Sequence, residues 1–388
     1  MRRFFVTVAA VAMLAGPAAA QDPWRSSYFP YVLGNPGDGV MLLGRWSRTQ
    51  NAPYFISRSD DEDVINPITF AGSVSVEAGV GTAGSWLGRA EFRGPGLVDG
   101  WRFRALIGAE RTAKLGYYGL GGDIERSRDE ESPNADVYRV SRRRYLAQAE
   151  VTRRISGGLR FALGAFLSRN ELTARDDSTI FRDQFGASVD RTDLVIRPAL
   201  VFDTRDREFT PSRGVLIEAG IGFGTAREKS PTQDKSLYAL GHVQLRGYVP
   251  LRDGTVLAVR GLYRGMEDAA PLDARFGVIG WERDFSLSGA DGFRGLPLGA
   301  LAGTSFGLLS AEIRHDLLAA GDLGAITVVG FADWARVEDN AATILQDTNQ
   351  FGAGAGLAVR ILRSAILSMN FAGGQNGFNF SMGTNWAF

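Results

Sequence analysis

The chain has 388 residues with 43 basic and 43 acidic side chains, no cysteine and two histidines. This excludes a disulfide framework, a thiol nucleophile and cysteine metal centres, and the balanced charge gives no electrostatic basis for nucleic-acid binding. Hydrophobic residues make up 45% of the chain but gather into no helix-length apolar block beyond residue 20, which excludes a bundle of transmembrane helices.

Arg2 and Arg3 form a basic start, residues 4–14 an apolar core, and Ala18, Ala19 and Ala20 a small-residue cleavage site. Residues 1–20 therefore read as a Sec signal peptide, and Gly16-Pro17 interrupts a run already too short for a membrane anchor. Without Arg2 and Arg3 the 43 basic residues become 41 against 43 acidic, a net charge of −2. Residues 21–27 are expected to form a short periplasmic segment and 28–388 a β-barrel. An exported chain with dispersed hydrophobics is either a soluble β protein or an outer-membrane barrel whose apolar residues alternate.

Alternation decides between them. Leu159, Phe161, Leu163, Ala165 and Leu167 share one face against Arg160, Gly164 and Ser168; Val215, Ile217, Ala219, Ile221 and Phe223 oppose Glu218, Gly220 and Gly222. Phe378, Phe380, Met382, Trp386 and Phe388 oppose Asn379, Ser381, Gly383 and Asn385. An apolar face against lipid and a polar face toward a lumen account for both rows. Strands are expected at 28–34, 40–49, 68–80, 85–93, 101–114, 138–155, 159–172, 192–203, 214–225, 236–249, 255–264, 305–317, 325–336, 352–362, 365–372 and 378–388. The fold class is all-β: a transmembrane antiparallel β-barrel of about sixteen strands, an even number as in bacterial barrels. Short turns at 156–158, 250–254 and 362–364 should be periplasmic, and the long connections 115–137, 173–191 and 265–304 extracellular. The first strand is short and carries Pro30, which cannot donate a ladder hydrogen bond, so its seam with the last strand should be weak.

The sixth external connection carries Arg294 at the tip of a glycine-rich stretch, 287–296. Glu312 and Arg314 share a face of the following strand, and Asp333 lies inside the next apolar strand. A cation folded back into a barrel must be paired to be tolerable, so Arg294 is expected to meet Glu312 and Asp333 with the loop folded into the lumen.

These residues resemble a known family. Asp203, Arg205, Asp206, Pro211 and Gly214 resemble the Asp-x-Arg-Asp…Pro-x-x-Gly turn signature of the bacterial surface-antigen superfamily of outer-membrane barrels, the BamA/TamA-like family. Phe293-Arg294-Gly295-Leu296 is similar to its sixth-loop Arg-Gly-aromatic motif, with Leu296 in place of the aromatic residue, and Glu312 and Asp333 match the acidic positions that hold the arginine. Gly383, Trp386 and Phe388 resemble the C-terminal signal by which barrels are recognised for insertion. With residues 21–27 too few for a POTRA domain, the likeness is to the POTRA-less branch. The resemblance implies the outer membrane of a Gram-negative bacterium and, as partners, outer-membrane lipid, the barrel-assembly machinery for insertion, and client outer-membrane proteins or lipids handled at the seam. Two other readings stay open: a passive pore lined by Arg160, Arg197, Glu218, Arg260 and Arg264, and a structural surface antigen.

No enzymatic activity, cofactor or metal is expected. Gly303-Thr-Ser305-Phe-Gly307 matches a nucleophile elbow, but the serine enters a strand rather than a strand–helix turn, and the one downstream histidine is His315. Residues 352–356 lack the spacing of a dinucleotide fingerprint and are read as small residues facing the lumen or giving room for a close-packed loop. The acidic runs 60–63 and 129–132 are read as solvated turns rather than calcium sites.

Overall fold

The structure is a computed structural model and describes residues 24–35, 39–51, 70–122, 136–229, 235–320, 324–339, 349–361 and 365–388. The expected signal peptide, both acidic runs and the turn 362–364 lie outside the described residues.

In chain order the strands are β1 (Trp24–Asn35), β2 (Gly39–Asn51), β3 (Phe70–Gly81), β4 (Trp86–Val98), β5 (Trp101–Gly116), β6 (Arg139–Ser156), β7 (Leu159–Ala174), β8 (Ser188–Asp203), β9 (Gly214–Glu228) and β10 (Lys235–Arg252). They continue as β11 (Thr255–Met266), β12 (Gly277–Val278), β13 (Phe285–Ser286), β14 (Ser305–Ala319), β15 (Gly324–Glu338), β16 (Gln350–Ile361), β17 (Ala365–Gly374) and β18 (Gly377–Gly383). β12 and β13 are a small ribbon in the β11–β14 connection, and α1 (Ile180–Phe185) is a short helix between β7 and β8, capped by Thr179. The other sixteen strands form one antiparallel sheet in sequence order, one for each expected segment.

The sheet curls into a nearly closed barrel with two chemically opposite faces. Leu163, Leu167, Ile196, Leu200, Ile221, Phe223, Leu245, Leu309 and Ile313 stand exposed on the outside. The alternating positions, Arg160, Arg197, Glu218, Arg246, Arg260, Glu312 and Arg314, are buried. A soluble monomer seldom exposes a contiguous apolar belt of this kind, whereas a lipid-facing barrel requires one. No helix among the described residues is long and apolar enough to cross a membrane; the strands present the apolar surface.

The seam between the first and last strands is unsealed, as expected, but for a different reason. β1 is not short: it runs twelve residues from Trp24, taking in 24–27 from the expected leading segment, and Pro30 pairs with Gly44 of β2 in unbroken register. An edge strand tolerates proline because its free side has no ladder to supply. The short strand is β18, with seven residues. It lies beside β1, where a side chain at Gly34 would meet Met382 Sδ at 3.3 Å, yet no ladder joins the two among the described residues. Trp386 and Phe388 do not extend β18 toward lipid as alternation predicts; the strand ends at Gly383 and both rings are buried.

Ile313 sits near the middle of β14 on the apolar side and is half exposed. Ile313→Arg is expected to cost about 2–4 kcal/mol in vesicles, measured as a lowered urea midpoint of the inserted barrel.

Candidate functional site

Residues 267–304, between β11 and β14, leave and rejoin the sheet at the end that carries the longer connections. Arg294 is 1% exposed and uses its whole donor fork. Its Nε and Nη2 donate to the two oxygens of Asp333 at 2.7 and 2.6 Å, its backbone N–H adds a 3.2 Å bond to the same carboxylate, and Nη1 donates to Glu312. Glu312 is shared with Arg314, whose Nε donates at 2.8 Å, and the Arg294 guanidinium stacks 3.6 Å over Phe331. The expected trio therefore meets, with Arg314 as a fourth member. Two guanidiniums against two carboxylates leave this buried group neutral, the condition under which buried ions are tolerated.

Gly295 passes against β16, its Cα only 3.3 Å from where a Gly352 side chain would begin. The small residues of 352–356 make that approach possible, as expected from the sequence. Leu296, at the position of the motif's aromatic residue, is buried with Phe293, Leu287 and Phe306.

The turn signature forms a second cluster at the opposite end of the sheet. Arg205 holds Asp203 by two side-chain bonds, Nε at 2.9 Å and Nη2 at 3.1 Å. Asp206 accepts from the Ser212 N–H at 2.9 Å, the Ser212 hydroxyl at 2.5 Å and the Arg213 N–H at 3.2 Å, closing the turn around buried Pro211. Gly214 has φ +98° and packs on the Thr204 carbonyl, so a side chain there is excluded on both counts. Arg205 also pairs with Glu282 of the long connection, and Trp281 beside it lies between the guanidiniums of Arg102 and Arg160 while donating to Thr152 Oγ1 at 2.9 Å. A segment that starts at one end of the sheet thus bonds to the turn at the other, along the buried face.

At the seam, Asn379 of β18 donates to the carbonyls of Arg294 and Leu296 at 2.8 and 3.0 Å, tying the loop motif to the last strand. The tail beyond Gly383 is held by cations: Arg283 donates to the Trp386 carbonyl at 2.7 Å, Arg260 to that of Ala387 at 3.1 Å and Arg314 to that of Phe388 at 3.0 Å. Arg314 lies 4.4 Å over the Trp386 ring and Arg260 4.8 Å over that of Phe388, so cation–π attraction adds to the bonds.

An Omp85 superfamily domain matches residues 71–386. The chain belongs to the Omp85 superfamily. As an Omp85 barrel it is an outer-membrane β-barrel of that superfamily, and the resemblance read from its motifs stands. Among solved structures it is similar to BamA from Haemophilus ducreyi lacking POTRA domains 1-3, with 15% identity, a TM-score of 0.53 and coverage of 94% of this chain and 71% of that one. CdiB from Escherichia coli gives 12% identity and a TM-score of 0.56, covering 94% of this chain and 63% of CdiB. These likenesses are of fold. No curated protein matches the chain.

Several residues of the Omp85 site escaped the sequence reading. Glu282, Asn379 and Arg283 join segments far apart in sequence, and Arg260, read there only as a pore-lining residue, does the same; of the first three only Asn379 gave a sign, as a polar residue on the inward row of its strand. The residues proposed for a pore lie on the buried face, but they are already engaged, Arg160, Arg260 and Arg264 by the loop and Arg197 with Glu218 within the wall. Arg260 bonds the Asp291 carbonyl at 2.7 Å, Arg264 that of Gly277 at 2.8 Å, Arg160 faces Trp281, and Arg197 lies between Glu150 at 2.9 Å and Glu218 at 2.7 Å. Ser305 opens β14 while His315 lies ten residues along it, bonded to Thr255, so the elbow pattern assembles no nucleophile–base pair.

Arg294→Ala removes both side-chain donors of Asp333, leaving it only the backbone N–H, and is expected to destabilise the barrel by about 3–5 kcal/mol, read from heat-modifiable migration. Arg294→Lys should recover only part, since an ammonium cannot make the paired bonds to Asp333. Glu312→Gln frees two guanidiniums and should cost more than Asp333→Asn, which frees one.

Glu208, in the turn between β8 and β9, bonds Arg102 at 3.1 Å. Burial pushes its carboxyl up, but Arg102, Arg93 and Arg205 together hold it below the ordinary glutamate range. Its contribution to stability is therefore complete above the unfolded value of about 4.3 and is lost as pH falls through the lower folded value. Glu208→Gln is expected to lower the melting temperature at neutral pH and to flatten the fall in stability below about pH 4; parallel acid melts of the two proteins check this.

Proposed function

We propose that this chain acts in outer-membrane protein or lipid assembly or translocation, with the β1–β18 seam as the working element and the 267–304 connection as a plug held in the lumen by Arg294. The observation that carries the reading is the asymmetry of the seam. β1 offers a twelve-residue edge, while β18 ends after seven residues and its tail is turned away into the inner-face arginines. An unpaired strand edge is a template for another strand, and a client barrel strand fits it by β-augmentation. Asn379 supports a coupling between plug and seam, because the same side chain belongs to β18 and holds the loop. Gly383, Trp386 and Phe388 are assigned as the insertion signal read by the barrel-assembly machinery before the tail docks inside, with the long connections facing outward. A passive pore is the weaker reading, since the arginines that would set its selectivity are engaged by the loop or, for Arg197, by Glu150 and Glu218 of the wall.

The absence of native cysteine allows a clean test. Gly34→Cys with Met382→Cys places two thiols across the seam in a strain lacking the wild-type copy. Loss of outer-membrane proteins or surface lipids that reductant reverses is the expected result. Normal levels with the tether confirmed would remove the seam from the function.

A further inference from the structure

The outer surface of β3–β8, away from the seam, carries a groove of about 660 Å³. Its floor is made of small residues, Ala78, Gly88, Ala90 and Ala147, and its walls rise at Ile107 and Leu167, which are 63% and 46% exposed. On an apolar, lipid-facing surface such a trough suits an acyl chain. Small residues alone do not define a ligand. The charged rows above them do.

Toward the long-connection end, the upper row of the groove itself places Tyr145 opposite Arg169, and the row after it places Trp86, Arg111, Arg143 and Glu171 side by side on β4 to β7. Arg111 and Arg143 are direct cross-strand partners. Like charges in that position destabilise a sheet unless an anion lies between them. Glu171 answers only one, bonding Arg143 at 2.9 Å, and Asp190 is taken by Arg169 at 2.7 and 3.0 Å. Among the described residues Arg111 has no carboxylate partner; its bond is to the Ser141 hydroxyl at 3.5 Å. Aromatic rings at the same height mark the membrane interface, and the arginine row stands about 7 Å above the nearest groove residues at two residues' rise.

We infer that this face binds an anionic, phosphate-bearing lipid, its phosphate between Arg111 and Arg143 and one acyl chain in the groove floored by Ala90 and Ala147. The inference rests on the outer-membrane reading of the barrel. A guanidinium pair matches phosphate oxygens in geometry as well as charge. The occupant would fix the rotation and depth of the wall that does not open, leaving the seam on the far side free of it.

The test uses the full chain in vesicles of equal parts phosphatidylcholine and phosphatidylglycerol, with retained lipid counted by native mass spectrometry after mild detergent release. The wild-type protein is expected to retain phosphatidylglycerol in preference to phosphatidylcholine. Arg111→Gln with Arg143→Gln should lower that retention by about thirtyfold, at a value of about 1 kcal/mol for each of the two interfacial cations. Ala147→Leu fills the groove without touching charge and should lower it too. Equal retention of both lipids by the wild type, or undiminished retention in both variants, would overturn the site. Should the double variant not insert, an unchanged Ala147→Leu protein overturns it just as well. Failure of the wild type to insert at all, seen as missing heat-modifiable migration, would instead bring down the barrel reading and this inference with it.

Discussion

The structure depends on the rule that a guanidinium removed from water must find an anion or a set of carbonyls. An empty lumen would leave the inward arginines hydrated and at ease. Once residues 267–304 pack against them, each cation has to be answered, and the loop answers many of them itself: Glu282 for Arg205 and Arg246, the Asp291 carbonyl for Arg260, and the carbonyls of Ala274 and Gly277 for Arg264. The dependence is mutual. The loop has no long ladder of its own beyond the β12–β13 ribbon, so its conformation is fixed chiefly by side chains of the wall.

Arg294 is the strictest case because it is a cation that the loop supplies, fully buried and answered by two carboxylates of the wall. Its partners sit on two neighbouring strands, Glu312 on β14 and Asp333 on β15, so the loop is docked across a strand pair and not on one strand. Asn379 then adds the last strand of the sheet to the same assembly. Displacing the loop motif would therefore unsatisfy two carboxylates and release β18 in one step, while Arg314, shared between Glu312 and the Phe388 carbonyl, would carry the disturbance to the tail.

The strands were legible because lipid on one side and charge on the other favour a period of two, and each of the sixteen expected segments is a strand of the one sheet. The Arg294 trio was legible for a related reason: charges inside apolar strands demand a partner, and only the loop cation was placed to provide one. What defeated the reading was the end of the chain. Trp386 and Phe388 keep the parity of Phe378 and Phe380, so pattern alone continues the strand outward. The actual partners of those rings, Arg260 and Arg314, lie on β11 and β14, and cation–π contacts leave no mark on local periodicity. The start of β1 was missed because Arg25, Ser26 and Ser27 are polar in succession; strand pairing with β2, not side-chain pattern, extends it to Trp24.

The two family motifs, read separately in the sequence, turn out to be the two anchors of one loop. Arg205 holds Glu282 at the short-turn end and Asp333 holds Arg294 nearer the middle of the wall, with 77 residues separating the first pair and 39 the second. Fixing a flexible segment at two well-spaced points removes far more of its conformational freedom than either anchor alone, because each makes the other's loop closure short. Losing one anchor leaves the segment tethered and able to return. The pairing of Arg205 with Glu282 also accounts for a turn far from the seam carrying residues as tightly constrained as Asp203, Arg205 and Gly214.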